Sequence, residues 1–161
     1  MAAFIDFSND VKGPCIKFEH VGWIELESWS WSCAREMSGG NQVGWASGVA
    51  KFEVLEFTAP IGSATIQMFM KMLNGTHFDT VVIEGVKNTG EKHPEVWLKL
   101  ELKHVLVTSI SQDVQEEEAN DSIALTFSQL HFNLADQKAD GSLDKMKDFK
   151  YDVTTAKIPG E

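Results

Sequence analysis

Ile24-Glu25-Leu26-Glu27-Ser28-Trp29-Ser30-Trp31 alternates apolar and polar residues, but the parity of the apolar set changes halfway. Successive side chains of an extended strand point to opposite faces, so Trp29 and Trp31 share one face and Ser28 and Ser30 the other. Ile24 and Leu26 belong to the opposite phase. A regular strand cannot send all four apolar groups to one side. Either both faces are covered, or an extra residue near Leu26 to Ser28 resets the phase as a bulge. The change recurs in residues 51–57, where Phe52 and Val54 give way to Leu55 and Phe57. It recurs again in residues 123–134, where Ile123, Leu125 and Phe127 give way to Leu130, Phe132 and Leu134. Three such shifts predict long strands that bend midway, the makers of barrel corners and of sheets packed at right angles. Function is expected on the sheet surface rather than in a catalytic pocket.

The 161 residues fit one domain able to bury a core without disulfides. A hydrophobic share of 43%, with five Trp and ten Phe, excludes general disorder. No stretch approaches the ~18–20 apolar residues of a membrane-spanning helix, so membrane insertion is not expected. Met1-Ala2-Ala3-Phe4-Ile5-Asp6 lacks the basic head and apolar core of a secretory signal, which predicts that any export proceeds without a cleaved signal peptide. Twenty-four acidic residues against 14 basic ones give a net charge of −10, which repels phosphate and argues against nucleic acid as a partner. Cys15 and Cys33 form no CxxC pair and are expected to be free thiols.

Strands dominate the pattern. A first strand is predicted over 4–7, a second over 24–33, a third over 49–57, a hairpin over 78–86 and 94–110, then strands over 123–134 and 149–153 and a short C-terminal tail. Val96, Leu98, Leu100 and Leu102 alternate with Trp97, Lys99, Glu101 and Lys103, the mark of a half-buried antiparallel strand. One helix is predicted over about 63–74, with Ser63 as N-cap, Ile66, Met70 and Leu73 at helical spacing, and Asn74-Gly75 as the stop. Its Met68, Phe69, Met70 and Met72 suit adaptable packing against the strands. Residues 35–48 contain Gly39, Gly40, Gly44 and Gly48 and read as a long glycine-rich extended loop, with Trp45 seeking a surface to cover. Residues 112–121 read as an acidic loop.

Catalytic and cofactor signals are missing. His20, His77, His93, His104 and His131 show no HxH or HxxxH spacing, so no metal site is expected. Neither a nucleophile elbow nor a phosphate-binding loop is present, so no cofactor is expected. Glu25 and Glu27 share a strand face only ~7 Å apart and have no visible opposing carboxylate, which favours solvated residues over a glycosidase pair.

Several motifs occur in an ordered set: Ser28-Trp29-Ser30-Trp31, the glycine-rich segment after it, Val54-Leu55-Glu56-Phe57-Thr58, and the Met-rich helix. There follow Leu102-Lys103-His104-Val105-Leu106-Val107-Thr108-Ser109-Ile110-Ser111, Leu125-Thr126-Phe127-Ser128-Gln129-Leu130 and Gln137-Lys138-Ala139-Asp140-Gly141. Together they resemble the haemolysin-coregulated protein (Hcp) family, the tube proteins of bacterial type VI secretion systems. The chain departs from the family pattern at Ser32, Ala59-Pro60-Ile61, Leu134 and Tyr151. The resemblance implies a mainly β fold, two antiparallel sheets forming a barrel-like sandwich with one side helix, as a single domain over 1–161. It also implies a non-enzymatic hexameric ring that stacks into a hollow tube expelled by sheath contraction. The partners implied are further copies of the chain, a spike protein at the tip, the contractile sheath, and effectors carried in the lumen. The location implied is the bacterial cytoplasm before firing, then the extracellular space or a target cell. On the motif match, Ser30 faces the lumen and Trp29 and Trp31 anchor the core. Gly39, Gly40, Asn41, Gln42 and Trp45 are assigned to ring stacking. Two rivals stand beside this reading: a monomeric β-sandwich binding carbohydrate or a small ligand through exposed Trp23, Trp45 or Trp97, and an enzyme using Glu25 or Glu27.

Overall fold

Each parity shift in the sequence marks a place where the chain changes strand partner. The computed structural model describes residues 1–8, 10–38 and 46–157. Its elements are β1 (Ala2–Asp6), β2 (Ile24–Leu26), β3 (Ser28–Ser30), β4 (Cys33–Ser38), β5 (Ala46–Phe52), β6 (Leu55–Pro60), α1 (Ser63–Asn74), β7 (Phe78–Lys87), β8 (Glu95–Val114), β9 (Ala119–Thr126), β10 (Gln129–Leu134) and β11 (Lys147–Asp152). The strands run β2-β1-β7-β8-β9-β6-β3, with β10 and β11 continuing from the first half of β8. All pairings are antiparallel. The fold is therefore mainly β: two antiparallel layers in a barrel-like sandwich, with one helix at the side.

The expected bent strands prove to be two kinds of device. The predicted strand over 24–33 is broken: β2 pairs with β1 in one layer and β3 with β6 in the other. Glu27 is the crossing residue, and its N–H donates to the carbonyl of Thr58 at 2.9 Å. The apolar parity changes because Ile24 and Leu26 serve one layer and Trp29 the other. Residues 49–57 split in the same way at Glu53-Val54, and 123–134 at Phe127-Ser128. The strand that does bend without breaking is β8, where the sequence showed only clean alternation. Its residues 98–103 lie between β7 and β10, and its residues 106–114 pair with β9. Leu98, Leu100 and Leu102 are buried, then Val105 and Val107. Two exposed residues, Lys103 and His104, reset the phase, and His104 takes φ 53°. A second irregularity follows between Val107 and Ser109.

The core between the layers is filled by Phe7, Phe57, Phe78, Leu100, Leu102 and Leu125 among others. A smaller cluster of Phe4, Cys15 and Val86 lies elsewhere, with Trp23 and Val96 packed on it. There His20 is buried, its Nδ1 3.1 Å from the Phe18 carbonyl oxygen and its Nε2 2.9 Å from Glu84 Oε2. The expected acidic loop shortens to a turn, because β8 reaches Val114 and β9 begins at Ala119.

Helix α1 corrects two expectations. Its N-cap is Gly62, whose N–H donates to Thr65 Oγ1 at 3.1 Å. Its buried residues are Ala64, Thr65 and Met68, whereas Ile66, Met70 and Leu73 are exposed. The cause is Asp121 on β9, which is 3% exposed and accepts hydrogen bonds from the Thr65 hydroxyl and, at 3.0 Å, from Gln112 Nε2. A buried carboxylate must be satisfied, and Thr65 turns inward to do so.

Two stability predictions follow from these devices. Val at position 104 cannot hold a left-handed conformation cheaply, so His104→Val should lower stability by about 1–2 kcal/mol in urea titration, while His104→Gly should leave it unchanged or higher. Asp121→Ala leaves the Thr65 hydroxyl and Gln112 amide without their acceptor and should cost about 2–3 kcal/mol, with Asp121→Asn costing less.

Candidate assembly surface

The second layer presents a concave outer face built by strand alternation. Trp29, Phe57, Ile123 and Ile110 point inward, which sends their neighbours outward. Register then aligns them across four strands. Ser28 lies opposite Thr58, Thr58 opposite Ser122, and Ser122 opposite Ser111. The adjacent row runs Ser30, Glu56, Ala124 and Ser109. The hydroxyls of Ser28 and Thr58 are hydrogen-bonded at 2.7 Å. Between the rows lies a depression of about 360 Å3 lined by these residues. Small hydroxyl side chains keep the backbone close to the surface, and each can donate and accept.

The strand path leaves open borders at β2, β3 and β11: β2 pairs only with β1, β3 only with β6, and β11 along its length only with β10. Beside β11 lies an apolar groove of about 480 Å3, lined by Trp31, Ser32, Cys33, Ala50, Phe52, Phe149 and Tyr151. Trp31 stacks on Phe52 at 5.5 Å, Phe52 meets Tyr151 at 5.5 Å, and Phe149 packs on Phe132 at 5.8 Å. Phe149 nevertheless remains 45% exposed. The far end of β11 is fastened by Asp152, whose carboxylate accepts from the Thr154 hydroxyl at 2.5 Å and from Gln129 Nε2 at 3.2 Å. The Thr154 hydroxyl, first among several hydrogen bonds, holds the Asp152 carboxyl below its ordinary range. A carboxyl lowered on folding contributes stability above its unfolded value and loses it as pH falls through the folded one, so this fastening is present throughout neutral pH.

Trp29 and Trp31 are half-buried against the main core, and Ser30 lies exposed on the concave face. Gly39, Gly40, Asn41, Gln42 and Trp45 lie outside the described residues. On either side of them, β4 and β5 pair as a hairpin, so the glycine-rich loop expected over 35–48 is strand at both ends. Of the tryptophans offered as an exposed platform, Trp23 is half-buried with its ring edge-on to His20 at 4.8 Å. Trp97 is half-buried beneath Lys87, whose Nζ lies 3.9 Å from the ring centroid. Glu25 is taken up by Lys17 at 2.7 Å. Among the described residues no group of His, Cys, Asp and Glu could hold a metal ion, and no helix is long and apolar enough to cross a membrane. Sequence reasoning passed over Thr58, Ser109, Ser111, Ser122 and Phe149. The signal was present for the serines: Ser109-Ile110-Ser111 repeats the hydroxyl–apolar–hydroxyl pattern of Ser28-Trp29-Ser30.

The architecture is a bent two-layer β sandwich with open borders and one helix at its side. The family described as "Type VI secretion system effector, Hcp" matches residues 4–133, well over half of the chain. The chain belongs to this Hcp family, the secreted tube proteins of type VI secretion. Solved structures agree on the fold. A protein described as a type six secretion system protein superposes with a TM-score of 0.88 at 19% identity, covering 98% of both chains. Hcp1 from Salmonella typhimurium gives 0.79 at 18% identity, over 98% of this chain and 97% of that one. A type VI secretion system effector from Yersinia pestis gives 0.73 at 19% identity, over 94% and 99%. No curated protein sequence matches the chain.

The aromatic groove generates a prediction about the isolated chain. Because nearly half of Phe149 already faces solvent, Phe149→Asp should shift the urea midpoint only slightly, by less than about 1 kcal/mol in stability, as read by far-UV circular dichroism.

Proposed function

We propose that this chain is the structural subunit of a type VI secretion tube, assembling as hexameric rings that stack around a hollow lumen. Sheath contraction then expels the tube, tipped by a spike protein, from the bacterial cytoplasm to the outside or into a target cell. The observation that carries this reading is the set of open borders on a chain of the Hcp family, with the aromatic groove flanking the one at β11. Unpaired edges and a contiguous apolar patch are both liabilities in a solitary molecule, and both become contacts when neighbouring copies cover them. A head-to-tail contact closes into a ring when its rotation suits, whereas stacking of rings can continue without limit. The concave hydroxyl face, with Ser30 on it, would line the lumen and meet carried effectors. Residues 39–45, with Trp45 as anchor, would reach the next ring from the end of the β4–β5 hairpin. The role is not enzymatic. The monomeric sugar-binding alternative gains nothing from the half-buried Trp23 and Trp97.

Light scattering coupled to size exclusion, with electron microscopy of the same fractions, tests the proposal. Annular particles of six 17.9 kDa subunits are expected; a monomer at all concentrations would sink it. Phe149→Asp should reduce ring formation at least about tenfold in the midpoint concentration, the loss expected when a charge enters a desolvated contact. Trp45→Ser should leave rings intact and shorten the tubes they form.

A further inference from the structure

The concave face carries charge of one sign only. On the outward positions of β3, β6, β9 and residues 106–114 of β8 there is no Lys, Arg or His. Two acids stand among the hydroxyls. Glu56 sits in the depression beside Ser30 and is exposed, with no ion-pair partner among the described residues. Asp113 follows Ser109 and Ser111 along β8, opposite Asn120, and its Oδ2 accepts from Gln115 Nε2 at 3.3 Å. The face lacks aromatic platforms and basic groups, so it suits neither bases nor phosphates. Its hydroxyls can donate and accept, as main-chain amides require of a partner.

We propose that this face docks polypeptide segments rich in Lys and Arg, with Glu56 and Asp113 selecting the charge and the hydroxyl rows bonding to the main chain. Such a surface discriminates mainly by attraction and repulsion: a cationic segment meets unneutralised carboxylates and an acidic one is turned away. The inference rests on the tube reading for its setting, in which six copies repeat the two carboxylates around the lumen and multiply a weak contact. It therefore narrows the cargo to proteins that expose a basic patch, or carry a basic segment, toward the wall.

The test uses fluorescence anisotropy on the full chain, with a labelled twelve-residue Lys/Ser peptide and its Glu/Ser counterpart as probes. Binding of the Lys/Ser peptide and not the Glu/Ser peptide is expected. Glu56→Gln with Asp113→Asn should weaken that binding by at least about fivefold. Asp79→Asn with Glu91→Gln removes the same charge from exposed positions elsewhere and should change it by less than about twofold. Equal weakening by the two double variants, or equal binding of the two peptides, overturns the proposal. Microscopy of the same samples keeps the two readings apart. Rings without charge selection sink the inference alone, whereas selection by a protein that never forms rings sinks the tube reading and leaves the face as a cation-selective surface.

Discussion

One strand holds the two layers together, and the geometry of the molecule depends on how it turns. β8 runs from Glu95 to Val114 without a break, exchanging β10 for β9 on one flank as it passes Lys103 and His104. A strand that changes neighbour leaves main-chain groups at the turn without ladder partners, and these must be satisfied. Ser128, between β9 and β10, donates its N–H and its hydroxyl to the Lys103 carbonyl at 3.0 and 3.2 Å. Its own carbonyl accepts the Val153 N–H at 2.7 Å. A single residue therefore ties the bend of β8, the break in the next hairpin and the end of β11. At the opposite corner, the Glu27–Thr58 hydrogen bond closes the crossing from β2 to β3. With both corners fixed, the four strands of the second layer curve, and the hydroxyl rows come to line a hollow rather than a plane.

The sequence disclosed the changes of phase but not their mechanism. Side-chain parity reports which face a residue occupies, and it is silent about which strand lies alongside. Ile24 to Trp31 therefore read as a bend, although the chain steps from one layer to the other. The bend in β8 left little trace, because Lys103 and His104 are unremarkable in sequence and only the conformation of His104 marks the turn. The helix shows a different limit. Its length was legible, yet two stripes competed for the core, and the more apolar one, Ile66, Met70 and Leu73, faces out. Thr65 lies inward because of Asp121, 56 residues further along, and no local pattern can announce a partner at that distance. Family membership was legible because the motifs come in a fixed order, even though the solved relatives share only 18–19% identity. At such distance burial and parity persist where residue identity does not, which is why Tyr151 can still pack on the core.

A subunit that assembles with copies of itself must keep its borders from pairing at random. β3 is three residues long, too short to template an extended ladder. β11 carries Lys147, Asp148, Lys150 and Asp152 around its exposed Phe149 and half-buried Tyr151. Charges spaced along an edge penalise any register that sets like against like, so pairing there requires a complementary approach. Main-chain bonds at such borders offer little adhesion. In the proposed assembly adhesion would come from the aromatic groove beside β11, where Trp31, Phe52 and Tyr151 form a floor already packed in the single chain. A prepacked floor loses little side-chain entropy on contact, so a modest apolar area can stabilise an interface while the short, charged borders set its register. Affinity and alignment then reside in different residues. Substitutions in the groove should change how tightly copies associate, and substitutions along β3 or β11 should change which geometry they adopt.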